Sequence, residues 1–404
     1  MTESPGSFFL GGFECSTHRL PSGRRLDLVH STRHDELAAR DYRLLQQYGI
    51  RAARDGIRWH LIEQSPGRYD FSSATPMLDA ARDTGMDVIW DLWHYGWPDD
   101  IDLFSAAFVD RFVRFAAETV ARMSDIDSRA PRICLINEIS FFSWAAGEGG
   151  IFNPFQKHCG DEVKRQLVRA TIEAVAAVRR VNPDVTIYQI DPIINVVPAS
   201  DRPEDVAAAE SYRQSQFAAW DMVLGRVQPE LGGHESNIDA VGVNYYIHNQ
   251  FIREGPMIVP SDPRYRHVSS MLGEVWARYQ RPLLIAETGI EGETRAAWLR
   301  YMCREVFTAL HAGVPIQGVC LYPILNHPGW DDDRHCHNGM FDYADADGHR
   351  DAYQPLADEV ERLDAMARAI LDGRAGPVDI GELETSALDW AAHVMQIYTD
   401  KSRS

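Results

Sequence analysis

Short apolar runs and longer amphipathic stretches alternate along the chain from residue 8 to residue 370. The runs are typical of buried strands, and the stretches repeat apolar residues at the spacing of one helix face. The clearest helix is predicted over 103–123, where Phe104, Phe108, Phe112 and Phe115 recur every three or four residues. The predicted strands are Phe8–Cys15, Ala52–Ile57, Asp87–Leu92, Arg132–Ile136, Val185–Asp191, Ala240–Tyr245, Pro282–Ala286 and Gly318–Tyr322. The predicted helices lie near 33–47, 72–84, 103–123, 161–181, 204–224, 268–279, 293–312 and 353–370.

Strict alternation of eight strand–helix pairs predicts a parallel sheet, and eight parallel strands close a (β/α)8 TIM barrel. A doubly wound open sheet is the alternative, but no Gly-x-Gly-x-x-Gly segment opens a predicted helix. We therefore expect a single α/β barrel domain over residues 1–371. Residues 372–404 begin with the breaker cluster Asp-Gly-Arg-Ala-Gly-Pro. One more helix is predicted there, near Glu382–Tyr398, as a C-terminal extension packed on the barrel or on a second subunit.

Charge and composition narrow the expected partners. The formal net charge of −19 disfavours nucleic acid and anionic membranes, because both attract clustered Lys and Arg. No apolar run reaches the roughly 18 residues of a membrane span, and the start, MTESPGSFFLGGFE, lacks the features of a signal peptide. The six cysteines are scattered without a Cys-x-x-Cys pair, so buried reduced thiols and a cytoplasmic location are expected. The sequence is also compatible with a homo-oligomer.

Two glutamates close apolar runs where barrel enzymes place their chemistry. The fourth predicted strand leads into Ile-Asn-Glu at 136–138, and the seventh leads into Ile-Ala-Glu-Thr-Gly at 285–289. Because the active site of a barrel lies at the C-terminal ends of its strands, Glu138 and Glu287 are expected to share the barrel mouth. A pair of carboxyl groups is what cleavage of a glycosidic bond requires. Either glutamate alone is also explained as a loop-capping or surface carboxylate.

These fragments resemble family 1 glycoside hydrolases, the β-glucosidase-type family of clan A. Similar fragments are Val-Gly-Val-Asn-Tyr-Tyr at 241–246, Trp-His-Tyr-Gly-Trp-Pro at 93–98 and the segment 48–59. The five fragments follow the order of the family over about residues 8–345, which is more specific than any one of them. The resemblance implies a TIM barrel, a carbohydrate substrate, a retaining mechanism, and neither cofactor nor metal.

The resemblance also implies roles for individual residues. Glu138 matches the acid/base of the family, Glu287 matches its nucleophile, and Asn137 matches the amide that holds the 2-hydroxyl of the sugar. The acid must keep a raised pKa until it donates its proton. The nucleophile must stay ionised at neutral pH.

Four further positions match residues around the sugar. Arg54 and Tyr246 match the arginine and the phenol beside the nucleophile, where a cation would favour the ionised carboxylate. Strand alternation puts Arg58 on the same face as Arg54, so Arg58 is the alternative for this role. His94 and Asn244 match residues that line the glycone site. The aromatic neighbours of His94 favour a sugar contact, whereas Asn244 is also explained by bonds to loop backbone.

The match fails along one wall of the predicted sugar pocket. His18 stands where the family has a glutamine that grips the outer hydroxyls of the glycone, and Tyr322 replaces a Trp. Gly329, just before Trp330, stands at the position of a sugar-gripping glutamate. The residues expected to take over substrate contacts on this wall are His18, Tyr322, Trp330, Asp331, Asp332 and His335.

The loop 330–337 is rich in Asp, His and Cys, which are metal-ligand types. Its spacing matches no compact zinc motif, so polar substrate contacts or a loop-ordering network are expected there instead of a metal.

We therefore expect a retaining β-glycoside hydrolase in which the carboxyl groups of Glu138 and Glu287 lie about 5–5.5 Å apart. The altered wall predicts poor activity on plain β-glucosides and β-galactosides, and better activity on a substituted, branched or extended glycone. A transglycosidase with the same carboxylates is one alternative, and a silent carbohydrate-binding barrel is another, although a pure binder has no need for both glutamates. An unrelated barrel enzyme is disfavoured, because no lysine ends a strand and no phosphate-binding glycine loop follows strands seven and eight.

Overall fold

The computed structural model describes residues 3–374 and 376, and eight of its strands close into a barrel. Neighbouring strands are parallel all round, and the last strand pairs with the first. The barrel strands are β1 Phe9–Gly12, β2 Ala52–Gly56, β3 Asp87–Asp91, β4 Arg132–Cys134, β5 Thr186–Pro192, β6 Ala240–Asn244, β7 Leu283–Thr288 and β8 Ile316–Leu321. Each overlaps one of the eight predicted runs, so the predicted (β/α)8 barrel is confirmed.

Helices follow the strands around the barrel. They are α1 His34–Gln47, α2 Thr75–Thr84, α3 Ala106–Ile126, α4 Gly160–Val181, α5 Pro203–Ser215, α6 Val268–Tyr279, α7 Arg295–His311 and α8 Gln354–Leu371. The helix predicted over 204–224 is in fact two helices, since α5 ends at Ser215 and Ala218–Val223 follows. Phe104 was predicted to lie in the helix over 103–123, but it precedes α3 and is 38% exposed.

One helix was not predicted from the sequence. Ile139–Gly147 begins directly after Glu138, and six of its nine residues are buried. Because it has no continuous polar face, its sequence lacks the amphipathic period that reveals a surface helix.

Several shorter elements decorate the barrel. The short helical segments are Leu28–Ser31, Trp59–Ile62, Phe71–Ser73, Pro229–Leu231, Glu235–Asn237 and Ile247–Asn249. The short strands pair as Glu63–Ser65 with Arg68–Tyr69, Asn195–Val197 with Gln250–Ile252, and His327–Pro328 with His335–Cys336.

The side chains of the barrel strands divide between two apolar clusters. The smaller cluster fills the barrel interior and takes residues from every strand, for example Leu10, Ile89 and Leu284, all fully buried. Their strand neighbours, such as Phe9 and Val88, point the other way and pack with the helices in the larger cluster. This division follows from the two-residue period of a strand. Burying each large apolar side chain stabilises the fold by about 1.5–3 kcal/mol.

A glycine at the end of β1 makes room for the ring of Tyr322 at the barrel mouth. A Cβ atom at Gly12 would lie 2.2 Å from the ring of Tyr322 and 2.9 Å from Cys320 Sγ. Because no side chain fits there, Tyr322 packs directly on the β1 backbone, and its ring forms part of the floor around the site.

The remaining expectations about the chain as a whole are met in part. All six cysteines are free, and five of them are buried, as predicted. No helix among residues 3–374 and 376 is long and apolar enough to cross a membrane. The predicted helix near Glu382–Tyr398 lies outside the described residues, so the division into residues 1–371 and 372–404 stays a prediction.

Candidate active site

Residues predicted to form the site gather at the C-terminal ends of the barrel strands. Arg54 lies in β2, Glu138 follows β4, Asn244 ends β6 and Glu287 lies in β7. None of these four residues is more than 8% exposed. Strands that are far apart in sequence therefore deliver one buried cluster of charged and polar groups.

Arg54 connects most of this cluster. Its Nη1 donates to Glu287 Oε1 at 2.7 Å, and its Nη2 donates to Asn137 Oδ1 at 2.6 Å. Its Nη2 and Nε also donate to Asp91, at 2.7 and 3.1 Å. Burial opposes the charge of Arg54, but the carboxylates of Asp91 and Glu287 outweigh it and hold the pKa of Arg54 well above its ordinary value. The guanidinium is therefore a permanent cation beside Glu287.

Arg58, the alternative partner of Glu287, lies elsewhere. β2 ends at Gly56, so strand alternation does not continue to residue 58. Arg58 Nη1 instead donates to Asp27 and to Asp35, both at 3.0 Å. The predicted contact with Glu287 is made by Arg54.

Both carboxylate oxygens of Glu287 have partners. Oε1 accepts from Arg54, and Oε2 accepts from the hydroxyl of Tyr246 at 2.8 Å. Glu287 is 5% exposed, and that exposed part borders the main cleft. The ion pair compensates the charge of the carboxylate, and the two hydrogen bonds fix its direction.

Glu138 has a different environment from Glu287. Its Oε2 accepts a hydrogen bond from the Tyr95 hydroxyl, and its Oε1 accepts one from Asn244 Nδ2 at 2.8 Å. Burial and the negative charge of Glu287 raise the pKa of Glu138 to about 7, although the bonds from Tyr95 and Asn244 oppose the rise. Glu138 can therefore both hold and release a proton near neutral pH.

A sharp backbone turn sets the position of Glu138. Its φ of 50° and ψ of 55° lie in the left-handed region that few residues other than glycine adopt. The N–H of Asn137 donates to Trp93 O at 3.1 Å, and the N–H of Glu138 donates to Ile190 O at 3.0 Å. The turn is thus bonded to β5 and to the segment just after β3. Strained backbone of this kind concentrates at functional sites.

His94 and Asn137 form a connected pair next to Arg54. His94 Nδ1 lies 2.9 Å from Asp91 Oδ2, and His94 Nε2 lies 3.2 Å from Asn137 Nδ2. Burial lowers the pKa of His94, but the bond and charge of Asp91 outweigh burial, so the pKa lies above its ordinary value. His94 borders the cleft, whereas Asn137 is fully buried below it.

The cleft itself is a large depression of about 1090 Å³. Glu138 and Glu287 both border it, together with His94, Tyr246 and Trp330. Residues of helix Ile139–Gly147, of the start of α4 and of α5 also line the cleft. Trp144, 45% exposed, and Tyr212, 38% exposed, line this part. The cleft therefore extends beyond the residues around the two glutamates.

His18, predicted to contact substrate, lies behind the cleft surface. It is 1% exposed, and its ring stacks on Phe152 with centroids 4.0 Å apart. Burial lowers the pKa of His18 to about 4, so the ring is neutral near pH 7. Neither ring nitrogen has a hydrogen-bond partner among the described residues. His18 instead packs against Trp330, which does border the cleft, and its predicted sugar contact stays a prediction.

Other residues of the altered wall are spread over different positions. Tyr322 is 2% exposed, and the Arg54 guanidinium carbon lies 5.2 Å from its ring centroid. A Cβ atom at Gly329 would lie 2.1 Å from Asp332 Oδ1, so the Asp332 carboxylate occupies the space of a side chain there. His335 pairs with Asp342 at 2.8 Å.

A second, smaller cavity of about 370 Å³ adjoins the cleft at this wall. Glu14, Tyr246 and Trp330 border both spaces. The other residues of the cavity that carry polar side chains include Tyr322, His327, Glu291, Asp331, Asp332 and Arg334. Carboxylates outnumber cations there, so the second cavity has an acidic character.

Four residues of the site were not singled out from the sequence. Tyr95 donates to Glu138, and Asp91 holds Arg54 and His94. Asp191 accepts the N–H of Ser140 at 2.8 Å, and burial raises its pKa well above the ordinary value. Glu14 borders both the cleft and the second cavity. Glu14, Asp91 and Asp191 each lie at or near the end of a predicted strand, the signal that had identified Glu138 and Glu287.

Two groups in the described part of the chain bring three potential metal ligands within 4.8 Å of one another. The first is Cys15, Asp91 and His94, but Asp91 already binds Arg54, whose charge would repel a metal cation. The second is His335, His337 and Asp342 in the loop beyond the cavity. Neither group includes Glu138 or Glu287.

Known proteins resemble this chain in structure more than in sequence. No protein-family model matches the chain, and no curated protein matches its sequence. A family 1 β-glucosidase from Thermotoga maritima matches with a TM-score of 0.72 at 16% identity, over 90% of this chain and 98% of that chain. A β-glucosidase from Thermotoga maritima in complex with glucoimidazole gives a TM-score of 0.72 at 16% identity, over 91% and 99% of the two chains.

A further match is a hyperthermophilic β-glucosidase mutant that forms a dodecameric structure in its crystal. Its TM-score is 0.71 at 14% identity, over 89% of this chain and 100% of that chain. The three matches span about nine tenths of this chain and nearly all of the other chains, so the barrel fold is shared.

Proposed function

We propose that the protein is a retaining β-glycoside hydrolase and a divergent relative of the family 1 enzymes. One observation carries the proposal: two carboxyl groups at the barrel mouth have opposite electrostatic environments. Glu287 is paired with Arg54 at 2.7 Å, whereas the pKa of Glu138 is raised to about 7. Two carboxyl groups whose environments separate their protonation states are the requirement for acid-assisted cleavage of a glycosidic bond.

The first step of the proposed reaction transfers the glycone to the protein. Glu138 donates its proton to the glycosidic oxygen while an oxygen of Glu287 attacks the anomeric carbon. The bond between anomeric carbon and glycosidic oxygen breaks, and the aglycone leaves as an alcohol. Arg54 holds Glu287 in place and compensates its charge until the ester bond forms.

Water completes the proposed reaction in the second step. Glu138, now ionised, accepts a proton from a water molecule that attacks the anomeric carbon. The ester bond to Glu287 breaks, the sugar is released with its original anomeric configuration, and both glutamates return to their starting protonation states. The negative charge of Glu287 is absent in the covalent intermediate, which lowers the pKa of Glu138 and favours its role as a base in this step.

The remaining site residues are assigned to the sugar. His94 and Trp330 border the cleft and would contact the glycone directly. Asn137 is fully buried and bonded to Arg54 and His94, so its contact with the 2-hydroxyl stays a prediction. Asn244 and Tyr246 orient the two carboxyl groups. Tyr322 and His18 complete the wall behind. No cofactor or metal enters this scheme.

Trapping of the covalent intermediate tests the proposal. A panel of nitrophenyl β-glycosides identifies an accepted glycone, and its fluorinated dinitrophenyl analogue then forms a long-lived glycosyl-enzyme. Peptide mass spectrometry should find the label on Glu287, and nuclear magnetic resonance should show that the first product keeps the β configuration. Glu138→Gln should retain the most activity on dinitrophenyl substrates, whose leaving group needs no proton, and added azide should restore its second step.

Inversion of configuration would overturn the retaining mechanism, and label on another residue would overturn the assignment of Glu287. A protein that binds the panel sugars without cleaving any of them would instead be a carbohydrate-binding barrel. The same assay with added alcohol separates hydrolysis from transfer, because a transglycosidase would yield mainly the alkyl glycoside.

A further inference from the structure

Glu14 is a third carboxylate at the barrel mouth, and the proposed reaction does not use it. It follows β1 by two residues and is 8% exposed. It borders the main cleft together with Glu287, Tyr246 and Trp330, and it borders the second cavity as well. Glu14 thus lies where the cleft and the second cavity share lining residues.

The surroundings of Glu14 hold it as a charged acceptor. Its Oε1 accepts the backbone N–H of Ser16 at 2.9 Å. Burial raises the pKa of Glu14, but His94, His327 and hydrogen bonding from Ser16 outweigh burial and hold the pKa below its ordinary value. Glu14 forms no direct ion pair within residues 3–374 and 376. A buried carboxylate with spare acceptor capacity therefore faces the cleft.

Other candidates for this wall are less well placed to grip a sugar. Gly329 has no side chain, and the space beside it is filled by Asp332. Asp332 is exposed and pairs with Arg334 at 3.3 Å. His335 is 41% exposed at its side chain and pairs with Asp342. An exposed carboxylate that already has a partner stays solvated and gains little from a sugar hydroxyl, whereas a buried one gains more.

We propose that Glu14 is the glycone-gripping carboxylate of this protein, accepting hydrogen bonds from the sugar hydroxyls farthest from the scissile bond. It would take over, from the end of β1, the task for which the loop after β8 has only Gly329. This inference rests on the proposed function for the identity of the ligand as a sugar. It assigns specificity for a hydroxylated glycone to a residue that neither cleaves the bond nor touches the leaving group.

Binding measurements test this role without requiring turnover. Isothermal titration calorimetry on the full chain would measure affinity for iminosugars of gluco, galacto, manno, fuco and xylo configuration. The tightest binder and its analogues lacking one outer hydroxyl would then be titrated into wild type, Glu14→Gln and Glu14→Asp. Glu230→Gln, at an exposed position outside the cleft, is the matched control. Circular dichroism would establish that each variant is folded.

Loss of one outer hydroxyl should weaken binding to wild type roughly 10- to 100-fold, the range for a hydrogen bond to a charged group. In Glu14→Gln, removal of the same hydroxyl from the ligand should weaken binding much less, because the carboxylate that accepts from this hydroxyl is already gone. The loss in Glu14→Asp should lie between those of wild type and Glu14→Gln. Glu230→Gln should match wild type. The same comparison in kcat/KM on deoxy glycosides should give the same ranking.

Equal losses in wild type and in folded Glu14 variants would overturn the role of Glu14 while leaving the hydrolase proposal in place. Binding that depends on Glu14, in a wild type that cleaves no glycoside, would support the role and overturn the hydrolase proposal. Should no iminosugar bind to wild type, the inference would be overturned. If neither variant folds, tight binding of every deoxy analogue to wild type would overturn the inference, and selective loss on removal of an outer hydroxyl would support it.

Discussion

At the scale of single residues, Glu138 and Glu287 have the same side chain but different neighbours, and the neighbours suit them to different roles. Glu287 receives a guanidinium and a phenol, so its charge is compensated and its direction fixed. Glu138 receives a phenol and an amide, neither of which carries charge, and it lies within the field of Glu287. The difference arises from the partners at the strand ends, not from the residue type.

Raising the pH through about 7 should reduce kcat/KM, because Glu138, with a pKa of about 7, then loses the proton it must donate. Glu287→Gln removes the negative charge that raises this pKa, so the pKa of Glu138 should fall in that variant. Activity profiles would measure the first effect, and carbon-13 titration of the carboxyl group by nuclear magnetic resonance would measure the second. The assignment of Glu138 as the proton donor would be contradicted if kcat/KM fell only above pH 9. It would also be contradicted if the pKa of Glu138 were the same in wild type and in Glu287→Gln.

Replacement of Arg54 by lysine should reduce kcat/KM tenfold or more, a cost of about 1.4 kcal/mol in the barrier. Lysine keeps the charge but cannot bind Glu287, Asp91 and Asn137 together. Arg58→Lys is the control, since Arg58 binds Asp27 and Asp35 and not Glu287. It should lower the melting temperature yet leave kcat/KM close to the wild-type value. A greater loss of activity in Arg58→Lys would contradict the role of Arg54.

At the scale of elements, a buried charge network ties α1 to β2. His34 in α1 lies 2.8 Å from Asp41 in the same helix and 2.8 Å from Asp55 in β2. Arg350 donates to Asp41 at 2.7 Å from the segment before α8. Residue 55 neighbours Arg54, and strand alternation sends the two side chains to opposite sides of the barrel wall. The network therefore fixes the strand that carries Arg54.

The free energy of unfolding should depend on His34 in alkaline solution. Burial opposes the charge of His34, but Asp55 and Asp41 outweigh burial and raise its pKa from 6.5 to about 9. The resulting stabilisation, about 3 kcal/mol, is complete below pH 6.5 and is lost as the pH rises through 9. Urea unfolding of wild type and His34→Gln across this range would measure it. The variant should be less stable at pH 6 by about 3–5 kcal/mol, and the difference should shrink at higher pH. A constant difference would contradict this account.

At the scale of the whole molecule, the two glutamates border a large cleft, and a smaller cavity adjoins that cleft. The cleft of about 1090 Å³ continues towards α5, and the cavity of about 370 Å³ lies beyond Glu14. The second cavity adjoins the cleft at the wall where Gly329 leaves a gap in the expected contacts. A ligand larger than one sugar unit is what this shape accommodates.

Plain nitrophenyl β-glucoside and β-galactoside should therefore be poor substrates, and a substituted, branched or extended glycone should be a better one. A small glycone leaves the second cavity unfilled and makes no contact with the polar residues that line it beyond Glu14. Steady-state kinetics on the two simple glycosides and on a set of oligosaccharides would measure the difference. An efficiency of about 10⁴ M⁻¹s⁻¹ or above on a simple glycoside would show that the altered wall does not restrict it.

The sequence by itself determined the barrel and the strands that carry the site. Hydrophobic period is a local property, so all eight strands were visible without knowledge of their partners, and strand ends gave Glu138 and Glu287 directly. Helix Ile139–Gly147 was not predicted, because it is buried on most sides and has no polar face that would give its sequence a helical period. Local patterns therefore suffice for short apolar strands and for helices with one polar and one apolar face, but not for a helix that is buried on most sides.

Only the tertiary structure decided which side chains meet. Arg54 and Glu287 are 233 residues apart, and the choice of Arg54 over Arg58 depended on where β2 ends. Tyr95 binds Glu138, and Glu14 borders the cleft, because loop backbone beyond each strand end sets their positions. Beyond a strand end no period constrains the direction of a side chain. The hydrophobic pattern therefore predicted the strands, whereas the contacts of Arg54 and Tyr246 with Glu287 were expected only from the family resemblance, and the positions of Tyr95 and Glu14 came only from the structure.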